Sequence, residues 1–465
     1  MTRLISLFIC LGNYAFLYGQ MDTTTKGRSS QNNRWNLHVQ NTEIVQGDPG
    51  FTAKYSAPNS LNRKGETQET ATLDIFAGLR LWRGAEAHMD FLAWQGFGLS
   101  KTFGLEAFPN GDAYKAGTKL PNYTFAHLYI RQTIGLGGEK EDVPDGLLTQ
   151  AGSQDISRLS FTIGRLSPLD ICDGNSYAHD PHTQFMNWAM MANLTWDYGQ
   201  NTVGFTTGAA VEFNQRKWAF RYGFFQMPRD KNGFTGDDQV LMWPHQGAYG
   251  PFWRSWAMMA EWEYRYNVHR HPGTIRFLSW LDEANFASYK LATALLRANP
   301  PDVESAGQGS GVTIPDSARA FHHKYGFSLN TEQEVCKNVG LFSRLGWTPG
   351  QYDTWTFTDV DWLVSLGISV HGSAWSRAGD TWGLVCIVSG ASRDNQNFLK
   401  AGGTDMLDGD GSLNYSSERV IETYYDCKIW KSIHAALDCQ FVANPAFNRD
   451  RGPVSILGAR LHWEL

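Results

Sequence analysis

The sequence predicts an all-β fold: a transmembrane antiparallel β-barrel of about sixteen strands, with short periplasmic turns and long extracellular loops. Three observations carry that expectation. Apolar and polar residues alternate with period two in segment after segment. Each segment runs close to the ~9–11 residues that a tilted spanning strand needs. The connections between segments alternate between short and long, the long ones rich in Gly, Asp, Asn and Pro.

Taken in chain order, residues 1–20 read as a secretory signal peptide. Arg3 gives a short positive start, Leu4 to Leu17 is mostly apolar, and Gly19 and Gln20 follow. Residues 21–33 are polar and read as a flexible segment, and 34–465 as a single barrel domain. Strands are expected at 34–45, 71–82, 85–95, 122–134, 157–166, 202–213, 217–227 and 255–266, then at 273–282, 323–333, 338–347, 361–371, 381–390, 417–427, 432–442 and 454–465.

The alternation is clearest in three places. In Ser255–Tyr266, Trp256, Met258, Ala260, Trp262, Tyr264 and Tyr266 share one face, while Met259, Glu261, Glu263 and Arg265 share the other. Val203, Phe205, Thr207, Ala209, Val211 and Phe213 oppose a face ending in Glu212 and Asn214. At the C-terminus, Leu457, Ala459, Leu461, Trp463 and Leu465 oppose Gly458, Arg460, His462 and Glu464. Charges and glycines opposite broad aromatic faces suit a closed barrel with lipid outside and water inside, which satisfies every strand backbone group in hydrocarbon. The stretch Gly135–Ile156 breaks the parity, being long where a short turn is expected. Glu283–Arg297 has helical spacing and reads as a short helix within a long loop.

The formal net charge of −6 argues against a nucleic-acid partner. Beyond the first segment the cysteines are Cys172, Cys336, Cys386, Cys427 and Cys439, odd in number and without a CxxC pair, so thiols free and either buried or facing lipid are expected. Histidines and acids show no metal-ligand spacing, and GxSxG, HExxH and P-loop patterns are absent from the sequence. No metal, no cofactor and no enzyme activity are therefore expected.

Several runs resemble the bacterial carbohydrate-selective outer-membrane porins, the OprB-like family. They are Trp94-Gln95-Gly96-Phe97-Gly98-Leu99-Ser100, Phe108-Pro109-Asn110-Gly111-Asp112-Ala113, Leu128-Tyr129-Ile130-Arg131-Gln132-Thr133, Asp173-Gly174-Asn175-Ser176-Tyr177, Asp180-Pro181, Thr183-Gln184-Phe185-Met186-Asn187-Trp188 and Asn448-Arg449-Asp450-Arg451-Gly452-Pro453-Val454-Ser455. The resemblance implies a sixteen-stranded barrel of the bacterial outer membrane that passes monosaccharides and similar small sugars by passive diffusion. Its partners would be sugar solutes, outer-membrane lipid and the barrel-assembly machinery, with homo-oligomers left open. A channel of the same fold for organic anions or phosphate is the alternative, and a barrel enzyme a more distant one. Two departures stand out: the chain ends in Leu465 where such barrels usually end in an aromatic residue, and Cys427 and Cys439 are unusual strand residues.

Taking the polar face of each strand as lumen gives the expected pore lining: Arg80, Glu86, Asp90, Trp94, His127, Tyr129, Arg131, Arg221, Glu261, Glu263, Arg265, Arg276, Phe342, Arg344 and Arg460. The two signs are nearly balanced, which suits neutral polyhydroxyl solutes better than a ring of one sign would. Sugar hydroxyls donate to carboxylates and accept from guanidinium forks. Trp94, Tyr129 and Phe342 are the aromatic candidates for stacking on a sugar ring. The loop Ser167–Asn201 either folds inward and narrows the lumen, with Asp173, Asn175, Tyr177, His179, Asp180 and Trp188 forming the constriction, or stays at the surface and caps the barrel mouth.

Overall fold

The computed structural model describes residues 33–57, 59–115, 117–228, 253–299 and 314–465. The expected signal peptide and nearly all of the segment 21–33 lie outside the described residues. The strands in chain order are β1 (Trp35–Asp48), β2 (Glu66–Trp82), β3 (Ala85–Gly96), β4 (Thr118–Gly135), β5 (Lys140–Val143), β6 (Gly152–Asp155), β7 (Arg158–Leu166), β8 (Thr206–Asn214) and β9 (Trp218–Gln226). They continue with β10 (Trp256–Val268), β11 (His271–Ala284), β12 (His322–Cys336), β13 (Val339–Trp347), β14 (Trp362–His371), β15 (Thr381–Gly390), β16 (Glu418–Trp430), β17 (Ile433–Ala443) and β18 (Val454–Glu464).

All but β5 and β6 form one closed antiparallel barrel in which each strand pairs with the barrel strands before and after it, β4 with β7 across the inserted pair. β1 closes the ring against β18, from Gln40 opposite Glu464 to Gly47 opposite Leu457. The terminal Leu465 completes this seam, donating its N–H to Val39 at 2.9 Å and accepting the Val39 N–H at 3.1 Å. Closure leaves no open sheet edge, as hydrocarbon demands.

The side-chain alternation sets which face is wet. On β10 the Trp256–Tyr264 row faces outward, with Trp262 49% exposed, while Glu261 on the opposite row is 1% exposed. Outward aromatics stack across strands: Trp218 lies 5.1 Å from Trp262, and Phe327 lies 6.0 Å from Phe277 and 6.5 Å from Trp347. Such rows form the aromatic bands expected at membrane interfaces.

The expected strands are found, several of them longer than the pattern shows. One register expectation needs correction. β8 begins at Thr206, and Val203 and Phe205 do not face lipid. Val203 is buried with Leu92, Trp94 and Ala126, and the Phe205 ring sits 5.0 Å from that of His127. Both belong to a loop packed inside the barrel, where an apolar residue has the same hydrophobic reason to be buried. The loop helix is Tyr289–Ala298, starting later than expected because Glu283 and Ala284 still pair in β11.

The over-long connection 136–157 is resolved as the β5–β6 hairpin, a separate two-stranded sheet at the short-turn end. It reaches back across several strands. Asn36 on β1 donates to Asp145 at 2.8 Å and to the Thr149 carbonyl at 2.9 Å. Arg80 on β2 donates to the Ala151 carbonyl at 2.5 Å, and Arg131 on β4 to the Leu148 carbonyl at 3.3 Å.

The cysteines are as expected free among the described residues: Cys172 is buried, while Cys336, Cys386 and Cys439 are exposed on the outer face or a strand end.

Candidate functional site

Two long loops, 97–117 and 167–205, turn into the barrel and pack on its inner wall. Their composition forces this. Leu99, Phe103, Leu105 and Phe108 in the first and Phe185, Met190, Leu194 and Trp196 in the second are too apolar to be left in water, and all are buried. Together they build a globular core inside the cylinder.

Polar wall residues anchor the loops. Arg344 on β13 is 0% exposed. Its guanidinium lies 3.2 Å from the Asp173 carboxylate and donates to the carbonyls of Met190 at 2.9 Å and Ala178 at 2.7 Å. Asp173 gives its N–H to Glu261 at 2.7 Å. Glu332 accepts from the Ser176 N–H at 2.6 Å, and Asn175 donates to Asn330 at 2.7 Å. Further round the wall Glu422 accepts the Met186 N–H at 2.6 Å, while Arg460 donates to the carbonyls of Pro181 at 2.6 Å and Gln184 at 2.7 Å. The loop 167–205 thus bridges β10–β13 and β16–β18. Gly340 makes room for it: a Cβ there would run into the Tyr177 ring.

A ladder of alternating charge runs beside this anchor. Arg221 bonds Glu212 at 2.7 Å, Glu261 at 2.8 Å and Glu263 at 3.0 Å. Glu263 also meets Arg265 at 2.5 Å and Arg276 at 2.8 Å, and Arg276 reaches Glu332 at 3.3 Å. In a low-dielectric wall, such mutual pairing is what lets so many charges be buried.

A cavity of about 230 Å³ lies where the two loops meet β4 and the connection 348–361. Two Asp–His–Asp arrangements face it. His127 on β4 places Nδ1 3.0 Å from Asp90 and Nε2 2.9 Å from Asp170. His182 places Nε2 2.8 Å from Asp112 and Nδ1 3.1 Å from Asp180. Each ring has a carboxylate at both nitrogens, so a doubly protonated imidazolium satisfies both. Burial alone would lower the His182 value, but Asp112 and Asp180 raise it well above the ordinary imidazole range. Burial would raise the Asp170 carboxyl, yet His127 and the Ser167 N–H hold it below the usual range. His179, also on the cavity, goes the other way: burial and then the Arg344 charge lower it, which keeps it neutral. Trp188, Tyr114, Tyr198 and Phe357 supply flat apolar surfaces, with Trp188 stacked 5.5 Å from Phe357. Lys115 lines the cavity and bonds the carbonyls of Thr356, at 2.6 Å, and Phe357.

The residues expected from the sequence divide into groups. His127, His179 and Trp188 line the cavity, and Asp90 and Asp180 stand behind it. Arg221, Glu261, Glu263, Arg265 and Arg276 form the ladder. Asp173, Asn175, Arg344 and Arg460 hold the loop. Arg80 and Arg131 hold the hairpin, with Glu86 3.6 Å from Arg80 and the Tyr129 hydroxyl 3.2 Å from Arg131. Phe342 faces inward but is 1% exposed beneath Tyr177 and Phe185, and Trp94 is 2% exposed against Tyr114. Neither offers a free ring face for a sugar to stack on, a correction with a plain cause: loop side chains already cover them.

Sequence reasoning missed Asp112, Tyr114 and Lys115 on loop 97–117, and Asp170, His182 and Tyr198 on loop 167–205. The signal was available in the density of apolar residues in loop 97–117, which no surface loop would keep. A cluster of three buried carboxylates, Glu106, Asp359 and Asp408, brings one oxygen of each within 4.8 Å of the others. Burial, then the Asp359 and Asp408 charges, push the Glu106 carboxyl well above its ordinary range.

Comparison with known proteins agrees with this architecture. The structure is similar to the high-pH structure of Pseudomonas putida OprB, with a TM-score of 0.66 and 15% identity over 93% of this chain and 94% of that one. It also aligns with the low-pH structure of the same protein, at a TM-score of 0.47 and 11% identity over 93% and 92% of the two chains. Salmonella typhi OmpF in complex with daunomycin aligns at 0.43 and 8% identity, over 93% and 97%. The first of these likenesses, at 15% identity, speaks for the fold alone. No curated protein matches the sequence. The model of the carbohydrate-selective porin, OprB family, matches residues 58–465. With that match over most of its length and a closed barrel of outer-membrane type, the chain belongs to the carbohydrate-selective porin family, OprB, of the bacterial outer membrane.

Proposed function

We propose that the barrel is a passive channel through which monosaccharide-sized carbohydrates cross the outer membrane by way of the cavity between loops 97–117 and 167–205. The observation that carries this reading is the cavity's make-up: aromatic faces beside imidazoles and carboxylates, at the place where the inner wall and both loops converge. Flat rings suit the apolar faces of a pyranose, and carboxylates accept its hydroxyls. Weak, exchangeable contacts of this kind let a solute enter and leave again. Loop 167–205 sets the aperture: Asp173, Asn175, Tyr177 and Asp180 hold it in place, and His179 and Trp188 border the passage together with Asp112 and Tyr114 of the neighbouring loop.

The remaining sequence expectations fit the same picture. The aromatic outer face suits outer-membrane lipid, and β18 (Val454–Glu464) is the strand that the barrel-assembly machinery would read. The wall charges of the ladder and the loop anchors are taken up in structural pairs, which suits transport rather than catalysis. The experiment is liposome swelling with neutral sugars of increasing size. Rapid entry of monosaccharides and slow entry of larger sugars supports the proposal. No swelling with any sugar would contradict it.

A further inference from the structure

We infer that the cavity discriminates by charge among solutes of one size: it accepts neutral and amino sugars and rejects carboxylated or phosphorylated ones. This rests on the diffusion reading above and specifies the chemical class of its solutes.

The argument is one of unsatisfied groups. Every cationic group on the cavity is already engaged. His127 and His182 each have a carboxylate at both ring nitrogens. The Lys115 ammonium meets two backbone carbonyls, the Met406 sulfur at 2.9 Å and the Trp188 and Phe357 rings at 5.8 and 5.6 Å. None of the three has a donor left for an arriving anion. The acceptor side is different. Asp170 takes both the His127 contact and the Ser167 N–H on Oδ2, and its side chain keeps 25% exposure on the cavity. Counted as charge, two imidazoliums and the Lys115 ammonium meet four carboxylates, so the set keeps one net negative charge.

A hydroxyl or ammonium group can therefore bond the Asp170 carboxylate, whereas a uronate or phosphate meets a negative surface with its cations occupied. In a narrow low-dielectric passage that difference is amplified, since charged walls focus the field along the path. Trp188 and Phe357 add surface for the ring without regard to its charge, so they set size and leave the sign of selection to the aspartates.

The test uses the full-length protein in liposomes and three probes on one pyranose ring: glucose, glucosamine and glucuronate, with uptake measured at matched ionic strength. The expected order is glucosamine equal to or faster than glucose, and glucuronate slower by about tenfold. Asp170→Asn should narrow the glucosamine-to-glucuronate ratio, whereas Asp170→Glu, which keeps the charge, should preserve it. The wild-type ratio stands as a test by itself if a variant fails to assemble. Equal entry of glucose and glucuronate into wild-type liposomes overturns the inference and leaves the diffusion reading intact. Entry of none of the three overturns both.

Discussion

The two mouths of the barrel are narrowed by different physical means. At the long-loop end, residues of loops 97–117 and 167–205 fill the lumen as a packed core, with Phe108, Phe185, Trp188, Trp196 and Tyr198 buried. At the short-turn end, the 136–157 insertion is largely exposed or half-buried and hangs from side-chain donors on β1, β2 and β4. Leu148 is its apolar contact with the main core. Burying a large apolar side chain is worth ~1.5–3 kcal/mol, and a single neutral hydrogen bond ~0.5–1.5 kcal/mol net. The outer constriction is thus a rigid part of the fold. The inner hairpin is held by a few separable bonds and is the element expected to yield first.

That contrast can be broken most severely at Arg344. Arg344→Met removes the only cation within salt-bridge distance of Asp173 among the described residues, leaving a wholly buried carboxylate. Stranding a buried charge costs ~3–5 kcal/mol. The expected outcome is release of loop 167–205 from β13 and a single-channel conductance increased by roughly twofold or more. Unchanged conductance would mean that the loop does not limit the path. Gly340→Leu attacks the same contact more gently. The added side chain displaces the Tyr177 ring, and a smaller rise in conductance with an intact, heat-stable barrel is expected on gel mobility.

How far these features were legible in the sequence follows from their range along the chain. The wet and greasy rows of β10 and β18 could be read because a strand's alternation is local. Arg344 and Arg460 could be placed on the inner face for the same reason. What they bind could not, since Arg344 meets Asp173 across 171 residues of sequence and Arg460 meets Pro181 across 279. The Asp–His–Asp arrangements are equally non-local, with His182 drawing Asp112 from another loop. Val203 and Phe205 show the limit of pattern reading. Alternation marks an apolar side chain for burial, but inside a filled barrel there are two apolar destinations, lipid and plug. The 136–157 insertion was visible as an anomaly of length only, because its bonds to β1, β2 and β4 run mainly through its own backbone carbonyls.

The inner mouth should respond less. Removing the two arginine donors together, Arg80→Ala with Arg131→Ala, while Asn36 is kept, is expected to leave barrel assembly and the sugar size cut-off intact. Amide hydrogen exchange in 140–155 should rise by about an order of magnitude, as expected for a segment held by few bonds. Protection equal to the wild type would show that the hairpin is fastened by something other than these arginines.

The smallest effect concerns pH. The folded-state value of His182 is raised above its unfolded one, so its contribution to seating the loop is complete below ~6.5 and is lost only as pH rises through the folded value. Its ring should remain doubly protonated at mildly alkaline pH by nitrogen NMR, with little change in conductance. Asp112→Asn should bring its titration down toward the ordinary range.

The most direct test of the account is the size cut-off of the channel before and after excision of residues 174–191, joined by a short flexible linker. Liposome swelling is expected to show monosaccharides entering and trisaccharides excluded in the wild type, and trisaccharides admitted once the segment is gone. The same cut-off in both proteins would contradict the claim that loop 167–205 sets the aperture.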